Sequence, residues 1–286
     1  MKLLTINTHS LVEEHYELKK QQFVENIVRL QPDIIAMQEV NQSIAAGRAD
    51  AFLQQGRYLN HQEQQPLRSD NHAAQTAAEL RSAGLAYSWC WLPMKLGYGK
   101  YDEGLAVFSR QPVEEADVVL LSSSGDYHSW RTRYALGIRP AGSRDWFYSV
   151  HLGWWQDEAE PFRMQWQRLS QAVQGKKERG RVFLLGDFNS PAQVRHEGYD
   201  LLTASGWHDI YLLAKKRDEG ITVRGMIDGW RDKLSEQSMC RGMRIDHIWC
   251  SEEVMAAESL SCFNGKNGPV ISDHFGLWAE VEDGSK

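Results

Sequence analysis

Short apolar runs recur at nearly even intervals along this chain, and they constrain the fold more than any other feature. Several runs are rich in β-branched or aromatic residues, and they are bounded by Gly, Pro, Asp or Ser, which is typical of buried strands. The pattern therefore predicts a protein built largely of strands. The nine predicted strands are 2–7, 34–40, 104–110, 117–121, 133–139, 146–152, 181–188, 244–250 and 276–281.

Segments with apolar residues at helical spacing separate some of these runs. They predict helices over 17–30, 72–83 and 158–174. Strand clusters mixed with strand–helix–strand units predict an α/β fold in which two packed sheets are flanked by helices. The segments 42–71 and 214–243 are predicted to be loop excursions, and long loops on such scaffolds often shape substrate sites.

The composition allows a large core and argues against a membrane protein. The chain has 286 residues, of which 42% are hydrophobic, and it contains no repeat or long linker, so we predict a single domain over 1–286. Polar and acidic residues interrupt the first apolar run, so no secretory signal is expected. No stretch approaches the roughly 18 apolar residues that span a bilayer, and no membrane partner is predicted.

Charge and cysteine spacing bear on location and partners. The net charge of -6 argues against a strong, sequence-blind grip on nucleic acid, which usually needs a basic face. The four cysteines form no C-x-x-C pair, so neither a disulfide framework nor a zinc site is indicated, and free thiols in the cytoplasm are predicted. These cysteines are Cys90, Cys240, Cys250 and Cys262.

Polar residues stand at the ends of the predicted strands. A single Asp or Asn there is more often a turn former than a catalyst, because its side chain bonds the local backbone. The repetition instead indicates one shared site, since a buried carboxylate must be paired, hydrogen-bonded or bound to metal. Oxygen ligands suit Mg²⁺, or Mn²⁺, rather than zinc, and they favour metal-assisted hydrolysis. The residues are Asn7, Glu39, His151, Asp187, Asn189, Asp246, Asp273 and His274.

Seven short motifs contain these residues. They are TIN (5–7), QEV (38–40), GLAVFSR (104–110), VHL (150–152), GDFN (186–189), RIDHIW (244–249) and SDH (272–274). This set, in this order, resembles the endonuclease/exonuclease/phosphatase superfamily, which includes DNase I-like nucleases, abasic-site endonucleases, inositol-polyphosphate 5-phosphatases and bacterial sphingomyelinases. The resemblance implies a four-layer α/β/β/α sandwich with two mostly antiparallel sheets flanked by helices and the site at one rim.

The resemblance also implies a role for each oxygen ligand. Glu39 resembles the principal Mg²⁺ ligand, with Asn7 beside it, and Asp273 resembles a carboxylate on the metal side. Asp187 resembles the residue that orients or deprotonates the attacking water. Asn189 resembles the amide that holds a phosphoryl oxygen. The implied reaction is in-line attack of water on phosphorus while a cation neutralises the developing charge.

Two histidines complete the implied site. His151 and His274 resemble the imidazoles that stabilise the transition state, and Asp246 resembles the partner that orients His274. The sequence departs from the family at one point, since many members carry Thr where this chain has Val150. The departure removes a hydroxyl that would otherwise help to orient His151.

Adjacent tryptophans and a Tyr-rich segment are candidates for substrate binding. Trp154 and Trp155 follow the predicted catalytic histidine, and both cannot readily point inward on a strand, so one is predicted to line the pocket. The alternative is that these rings belong to the core, as most aromatic side chains do. Residues 95–104 are predicted to form a loop, within which Tyr101 and Glu103 occupy positions where family members often place site residues.

Two arginines offer a phosphate contact. Arg131 and Arg133 occupy alternate positions, which on a strand share one side, and guanidinium groups suit the extra charge of a phosphomonoester. A solvated sheet face is the equally weighted alternative.

Three functions are compatible with these features. We favour a phosphatase acting on a small phosphorylated metabolite, because the segment LLTINTHSLVEEH (3–15) and YDEGLAVFSR (101–110) look similar to a cytosolic bacterial branch that includes phosphatases for maltose 6'-phosphate. A nuclease or phosphodiesterase acting on DNA or RNA is the alternative enzyme, with nucleic acid the less favoured partner. A non-catalytic binding module should have lost a ligand or histidine, and none is missing. The oligomeric state is not predicted.

Overall fold

Two β-sheets form the centre of the structure. The computed structural model of the chain describes residues 1–55, 57–60, 65–225, 227, 230 and 242–282. The strands within these ranges are β1 (Lys2–Asn7), β2 (Ile34–Ser43), β3 (Arg57–Asn60), β4 (Ser88–Gly97), β5 (Tyr101–Ser109), β6 (Val113–Leu120), β7 (Tyr134–Pro140), β8 (Trp146–His151), β9 (Val182–Asp187), β10 (His208–Asp209), β11 (Ala214–Arg217), β12 (Asp246–Cys250), β13 (Ala256–Cys262) and β14 (Gly276–Val281).

The order of the strands explains where their ends meet. Among the described residues, the first sheet has eight strands in the order β11-β13-β14-β1-β2-β5-β4-β3, and the second has six in the order β10-β12-β9-β8-β7-β6. Most neighbours are antiparallel, as predicted, but four pairs of the described strands are parallel: β3 with β4 and β11 with β13 at the sheet edges, and β1 with β2 and β8 with β9 in the middle of the sheets. Because parallel neighbours end at the same edge, each sheet brings two carboxyl ends together.

Helices cover the outer face of each sheet. Phe23 and Ile27 of α1 belong to the apolar cluster that includes Ile35 of the first sheet, and Trp166 of α4 belongs to the cluster that includes Leu184 of the second. These two clusters are the outer interfaces of a four-layer α/β/β/α sandwich, which confirms the predicted fold. The helices are α1 (Tyr16–Leu30), α2 (Ala51–Gln54), α3 (His72–Ser82), α4 (Phe162–Lys177), α5 (Gly198–Ala204) and α6 (Ile210–Leu213).

The central core lies between the sheets. Leu105 and Val107 of β5 share one buried cluster with Phe147 of β8 and with Phe183 and Leu185 of β9. The Phe147 and Phe183 rings stack with their centroids 5.0 Å apart. Burying an apolar side chain of this size contributes roughly 1.5–3 kcal/mol to stability, so this layer holds the two sheets together.

A buried polar bridge crosses this core next to the strand ends. Ser149 of β8 donates from Oγ to the Met37 carbonyl at 2.9 Å, and Gln38 of β2 donates from Nε2 to Ser149 Oγ at 2.9 Å. Both bonds are buried and join opposite sheets, so they fix the relative positions of the ends of β2 and β8.

The long predicted elements are confirmed, with shifted boundaries. The helix predicted over 158–174 begins four residues later, because Pro161 stands immediately before α4 and Pro suits a helix start better than an interior. The strand predicted to begin at Arg133 begins one residue later, at Tyr134. Consequently Arg131 and Arg133 lie in a turn before β7 and not on a common strand face, so the geometric basis of that prediction was wrong.

Three predicted loops contain regular structure. Residues 95–104 form a hairpin in which β4 and β5 pair antiparallel, with Leu96 opposite Asp102. The predicted excursion 42–71 contains α2 and β3. The excursion 214–243 begins with β11, whereas residues 226, 228–229 and 231–241 lie outside the described residues.

Five strands, β3, β4, β10, β11 and β13, were not predicted. Pro93 argues against a strand in β4, but it lies where the pairing with β5 shifts register, and Pro is tolerated at such an irregularity. The β13 sequence AAESLSC is poor in β-branched residues, so its strand structure depends on pairing with β14 and β11.

No helix within the described ranges is long and apolar enough to cross a membrane. Cys90, Cys250 and Cys262 are buried free thiols, and Cys240 lies outside the described residues.

Candidate active site

The carboxyl ends of four strands meet at one rim of the sandwich. Asn7 ends β1, Glu39 lies within β2, and His151 and Asp187 end the parallel strands β8 and β9, where they are register partners. Asn7 Nδ2 donates to Glu39 Oε1 at 2.9 Å and to Asp187 Oδ2 at 3.3 Å. A single amide therefore connects the acids of the two sheets.

Antiparallel neighbours add the remaining groups at the same rim. Asp246 starts β12 as the register partner of Asp187. His274 precedes β14, and its Nδ1 lies 2.9 Å from Asp246 Oδ2, while its Nε2 lies 3.8 Å from Asp187 Oδ2. Ser272 anchors this segment to the first sheet by donating from Oγ to the Asn7 carbonyl at 2.8 Å.

Two of the site residues hold unusual backbone angles. Glu39 has φ +51° where the pairing of β2 with β5 shifts register, and Asn189 has φ +45°. A left-handed conformation in a residue other than Gly costs of order 1–3 kcal/mol and persists where the surroundings impose it. The Asn189 N–H donates to Asp187 Oδ1 at 2.8 Å, and the Ser10 hydroxyl donates to the Glu39 carbonyl at 2.7 Å. These bonds hold the two turns and aim both side chains at the rim.

Gly186 allows the closest approach of β8 and β9. It has φ +155°, and a Cβ at this position would overlap the carbonyl oxygen of Val150. Glycine is therefore required for His151 and Asp187 to lie side by side.

The two histidines have opposite charge preferences. Burial lowers the pKa of His274, but the charges of Asp246 and Asp187 outweigh this effect and raise the pKa well above its usual value. Burial lowers the pKa of His151, and the neighbouring cations Arg133 and Lys95 lower it further. His274 is therefore an imidazolium and His151 is neutral at pH 7, a separation typical of sites with divided acid–base roles.

The environment of His151 reflects the valine that precedes it. Val150 is buried in the apolar cluster under α4 and offers no hydrogen bond. His151 Nε2 lies 3.6 Å from Asp187 Oδ2, and its buried Nδ1 contacts no partner among the described residues.

Buried carboxylates crowd the rim. Burial raises the pKa of Asp187 to about 7, with His274 lowering it and Asp246 raising it. Burial also raises the pKa of Glu39, and repulsion by Glu103 adds to this effect. Such a surplus of negative charge is the environment that a bound cation stabilises.

The residues present fit a divalent metal. Glu39 and Asp273 offer carboxylate oxygens at the rim, and Asn7 offers Oδ1, which accepts from the His9 N–H at 3.2 Å. The cavity lining includes no cysteine among the described residues, and oxygen ligands suit a hard ion. Ligand atoms lie within 4.8 Å of one another in two groups, one of His9, Glu13 and Asp273 and one of Asp187, Asp246 and His274. In the second group His274 and Asp246 already bind each other at 2.9 Å, which is typical of an acid–base set.

A cavity of about 450 Å³ opens above these groups. Trp130 and Trp154 form one wall with ring centroids 5.9 Å apart, and Tyr98 and Ile227 also line the cavity. Its floor is formed by Glu39, His151, Asp187, Asn189, Asp273 and His274. A volume of this size accommodates a small molecule.

Two buried cations lie on the cavity side of the site. Lys95 Nζ lies 3.0 Å from Glu103 Oε1, and Arg133 donates from Nη1 to the Trp130 carbonyl at 2.8 Å. Both side chains line the cavity, and burial lowers the pKa of both. Glu103 pairs with Lys95, whereas Arg133 Nε has no hydrogen-bond partner among the described residues, which leaves a cationic donor for an anionic ligand.

Three candidate substrate residues lie outside the cavity lining. Tyr101 donates to the Leu11 carbonyl at 3.1 Å. Arg131 pairs with Asp157 at 3.0 Å. Trp155 packs on Phe162 with ring centroids 6.0 Å apart. Of the six candidates, the cavity is lined by Glu103, Arg133 and Trp154.

His9 is a cavity residue that the sequence analysis missed. Its Nδ1 contacts Glu13 Oε1 at 2.7 Å, its Nε2 contacts the Tyr98 hydroxyl at 3.2 Å, and it lies 3.9 Å from Asp273. Burial lowers the pKa of His9, but Glu13 and its acidic neighbours raise it to about 9. The available signal was its place two residues after Asn7, in a turn that follows a strand end.

A protein-family model, described as the Endonuclease/Exonuclease/phosphatase family, matches residues 4–274. The chain belongs to the endonuclease/exonuclease/phosphatase family. Members of this family hydrolyse phosphoesters and generally depend on a divalent metal. No curated protein matches the chain in sequence.

Solved structures of this family share the fold. A family protein from Leptotrichia buccalis C-1013-b is 29% identical, with a TM-score of 0.82 and coverage of 99% of this chain and 100% of that one. A mannosyl-6-phosphatase from Bacteroides thetaiotaomicron VPI-5482 is 16% identical, with a TM-score of 0.60 and coverage of 99% and 100%. TDP2 from C. elegans is 17% identical, with a TM-score of 0.61 and coverage of 99% and 75%. The last two show likeness of fold alone.

Proposed function

We propose that this family member is a Mg²⁺-dependent phosphatase that removes the phosphoryl group from a small phosphorylated metabolite of the sugar-phosphate class. The observation that carries the proposal is the pair of buried cations, Lys95 and Arg133, beside the acid cluster in a cavity of about 450 Å³. A phosphomonoester brings up to two negative charges, and a charge that enters a buried pocket needs a matching partner. A diester brings one.

The chain's own groups divide the work of in-line hydrolysis. Asp187 accepts a hydrogen bond from the attacking water and takes its proton as the new P–O bond forms. The P–O bond to the leaving group breaks, and the leaving oxygen takes up a proton from solvent in the open cavity. His274, held as an imidazolium by Asp246, donates from Nε2 toward a phosphoryl oxygen as negative charge develops. Neutral His151 and the Asn189 amide offer further donors.

Glu39, Asn7 and Asp273 are the residues that would hold Mg²⁺, with Mn²⁺ as a possible replacement. When bound, the ion neutralises charge on the phosphoryl oxygens. Asn7 also bridges Glu39 and Asp187, because its Nδ2 group donates a hydrogen bond to both carboxylates.

The aromatic wall supports a sugar over a polymer. The rings of Trp130 and Trp154 present apolar faces of the kind that stack on a sugar, and Tyr98 stands at the tip of the β4–β5 hairpin. The sequence likeness to maltose 6'-phosphate phosphatases points the same way. A nuclease needs a basic groove along a strand, whereas this chain has a net charge of -6.

Location and assembly stay predictions. A single domain over 1–286, a cytoplasmic enzyme, a small phosphorylated partner and no membrane partner rest on the sequence analysis. The oligomeric state is left open.

A substrate screen tests the proposal. Purified protein with Mg²⁺ or Mn²⁺ is incubated with a panel of sugar monophosphates, with a nitrophenyl phosphodiester and with plasmid and single-stranded DNA. We expect release of inorganic phosphate from one or more sugar phosphates and its loss on adding EDTA. Cleavage of DNA or diester with inert sugar phosphates would replace the phosphatase by a phosphodiesterase.

A further inference from the structure

The orientation of the Asn189 side chain depends on one indole. Trp230 donates from Nε1 to Asn189 Oδ1 at 3.0 Å, and Asn189 donates from Nδ2 to the Leu152 carbonyl at 2.9 Å. Both bonds are buried. An indole nitrogen is only a donor and a carbonyl oxygen only an acceptor, so the two partners admit one orientation of the amide.

The flipped amide would lose both bonds. Its NH₂ group would face the Trp230 N–H, and its oxygen would face the Leu152 carbonyl. Burial makes each unmatched contact costly, because water cannot replace the missing partner. The backbone of Asn189 is already held at φ +45°, so the side chain has little room to relax in another way.

The orientation of the Asn189 amide determines which of its polar atoms faces the cavity. Asn189 lines the cavity floor beside Asp187 and His274. Its oxygen is turned to Trp230 and one Nδ2 hydrogen to Leu152, so the second Nδ2 hydrogen remains for a ligand. A donor there stabilises negative charge on a phosphoryl oxygen, whereas a carbonyl oxygen would repel it.

We propose that Trp230 is a positioning residue, which holds the Asn189 amide with its N–H group toward the phosphoryl oxygens. Trp230 itself does not line the cavity and lies behind its wall, in a buried cluster with Val223, Ile227, Met243 and Ile245 against which Trp154 packs. The inference rests on the proposed phosphoester hydrolysis, but not on the identity of the substrate.

The matched substitution is Trp230→Phe, which keeps an aromatic ring and removes the N–H group. We expect kcat to fall about 10-fold while KM changes less than about twofold, because the lost orientation affects charge that develops in the transition state. The control is Trp166→Phe, since Trp166 donates from Nε1 to Ser205 Oγ at 3.3 Å far from the cavity lining. The control should keep the wild-type kcat.

A double-mutant cycle separates positioning from packing. Kinetics with a nitrophenyl phosphate, or with whichever ester the wild type cleaves, are measured for Trp230→Phe, Asn189→Ala and the double variant, with thermal unfolding of each. If Trp230 acts through Asn189, Trp230→Phe has no further effect on kcat in the Asn189→Ala background. An equal loss in both backgrounds would overturn the inference. A wild-type protein inactive on every phosphoester would instead reject the proposed function.

Discussion

Asp246 and His274 form a buried ion pair, with 2.9 Å between Oδ2 and Nδ1. Asp246 starts β12 and His274 precedes β14. These two strands are antiparallel to β9 and β1, which belong to the parallel pairs, so the contact closes the rim between the two sheets. The pair determines the charge on His274, and its consequences are measurable.

Substituting Asp246 should shift the pH dependence of activity. In Asp246→Asn the amide cannot hold an imidazolium, so the pKa of His274 should fall toward its usual value of about 6.5. Because the active form is protonated, the variant should lose activity as pH rises through that region, whereas the wild type should not. The measurement is kcat/KM from pH 5 to 9. Superimposable profiles would contradict the assigned charge state. We also expect a loss of about 10²–10³-fold at pH 8.

Arg133 should discriminate between monoesters and diesters. Arg133→Met removes a buried cation and should lower kcat/KM by 10-fold or more, on the order of one charge-assisted hydrogen bond, for a monoester but less for a diester. Arg139→Met is the control, because Arg139 pairs with Glu114 at 2.9 Å outside the cavity lining. An equal loss of kcat/KM on monoesters and diesters would show that Arg133 does not bind the additional negative charge of a monoester.

The aromatic wall should contribute to sugar binding and not to chemistry. Trp154→Ala should raise KM for a sugar phosphate by about 10-fold, the size of one stacking contact, with a smaller effect on kcat. Trp155→Ala offers a neighbouring control, since that ring packs on Phe162. Steady-state kinetics of both variants, with circular dichroism to check folding, provide the comparison. A larger increase in KM for Trp155→Ala than for Trp154→Ala would contradict the assignment of Trp154 to the sugar-binding wall.

His72 should make folding stability depend on pH. Burial lowers its pKa to about 3, and its Nδ1 lies 3.0 Å from the Tyr16 hydroxyl. The unfolded state then binds more protons between about pH 3 and 6.5, so stability is complete above that range and falls as pH decreases through it. His72→Asn should reduce this fall. Urea unfolding at pH 7 and pH 5 measures the change, and parallel losses in both proteins would exclude His72 as a source.

Sequence patterns predicted the rim well because strand ends are local features. Asn7, Asp187 and Asp246 each interrupt or end an apolar run, and the topology then brings them together without further information. The position of Glu39 could be predicted in the same way. Its left-handed backbone conformation could not, because it occurs where the pairing of β2 with β5 shifts register.

Residues that reach the site through tertiary packing were harder to predict. Lys95 was assigned to a loop because residues 95–104 are rich in Gly, Tyr and Lys, yet it lies in β4 and is buried beside Glu103. Arg133 was proposed for a geometric reason that is wrong, and it reaches the cavity from a turn. His9 follows a strand end, but its place in the cavity depends on a contact with Tyr98, which lies 89 residues away along the chain.

The glycine at position 186 has a consequence for how this enzyme can change. Adding one methyl group there would push apart the strands that end in His151 and Asp187, and with them the two partners that a water molecule and a phosphoryl group must meet simultaneously. Substitutions of Trp130, Trp154 or Tyr98 would change the cavity wall and leave the spacing of β8 and β9 intact, whereas a side chain at position 186 would disturb that spacing. We therefore expect substrate preference in this scaffold to change through residues of the cavity wall and not through position 186.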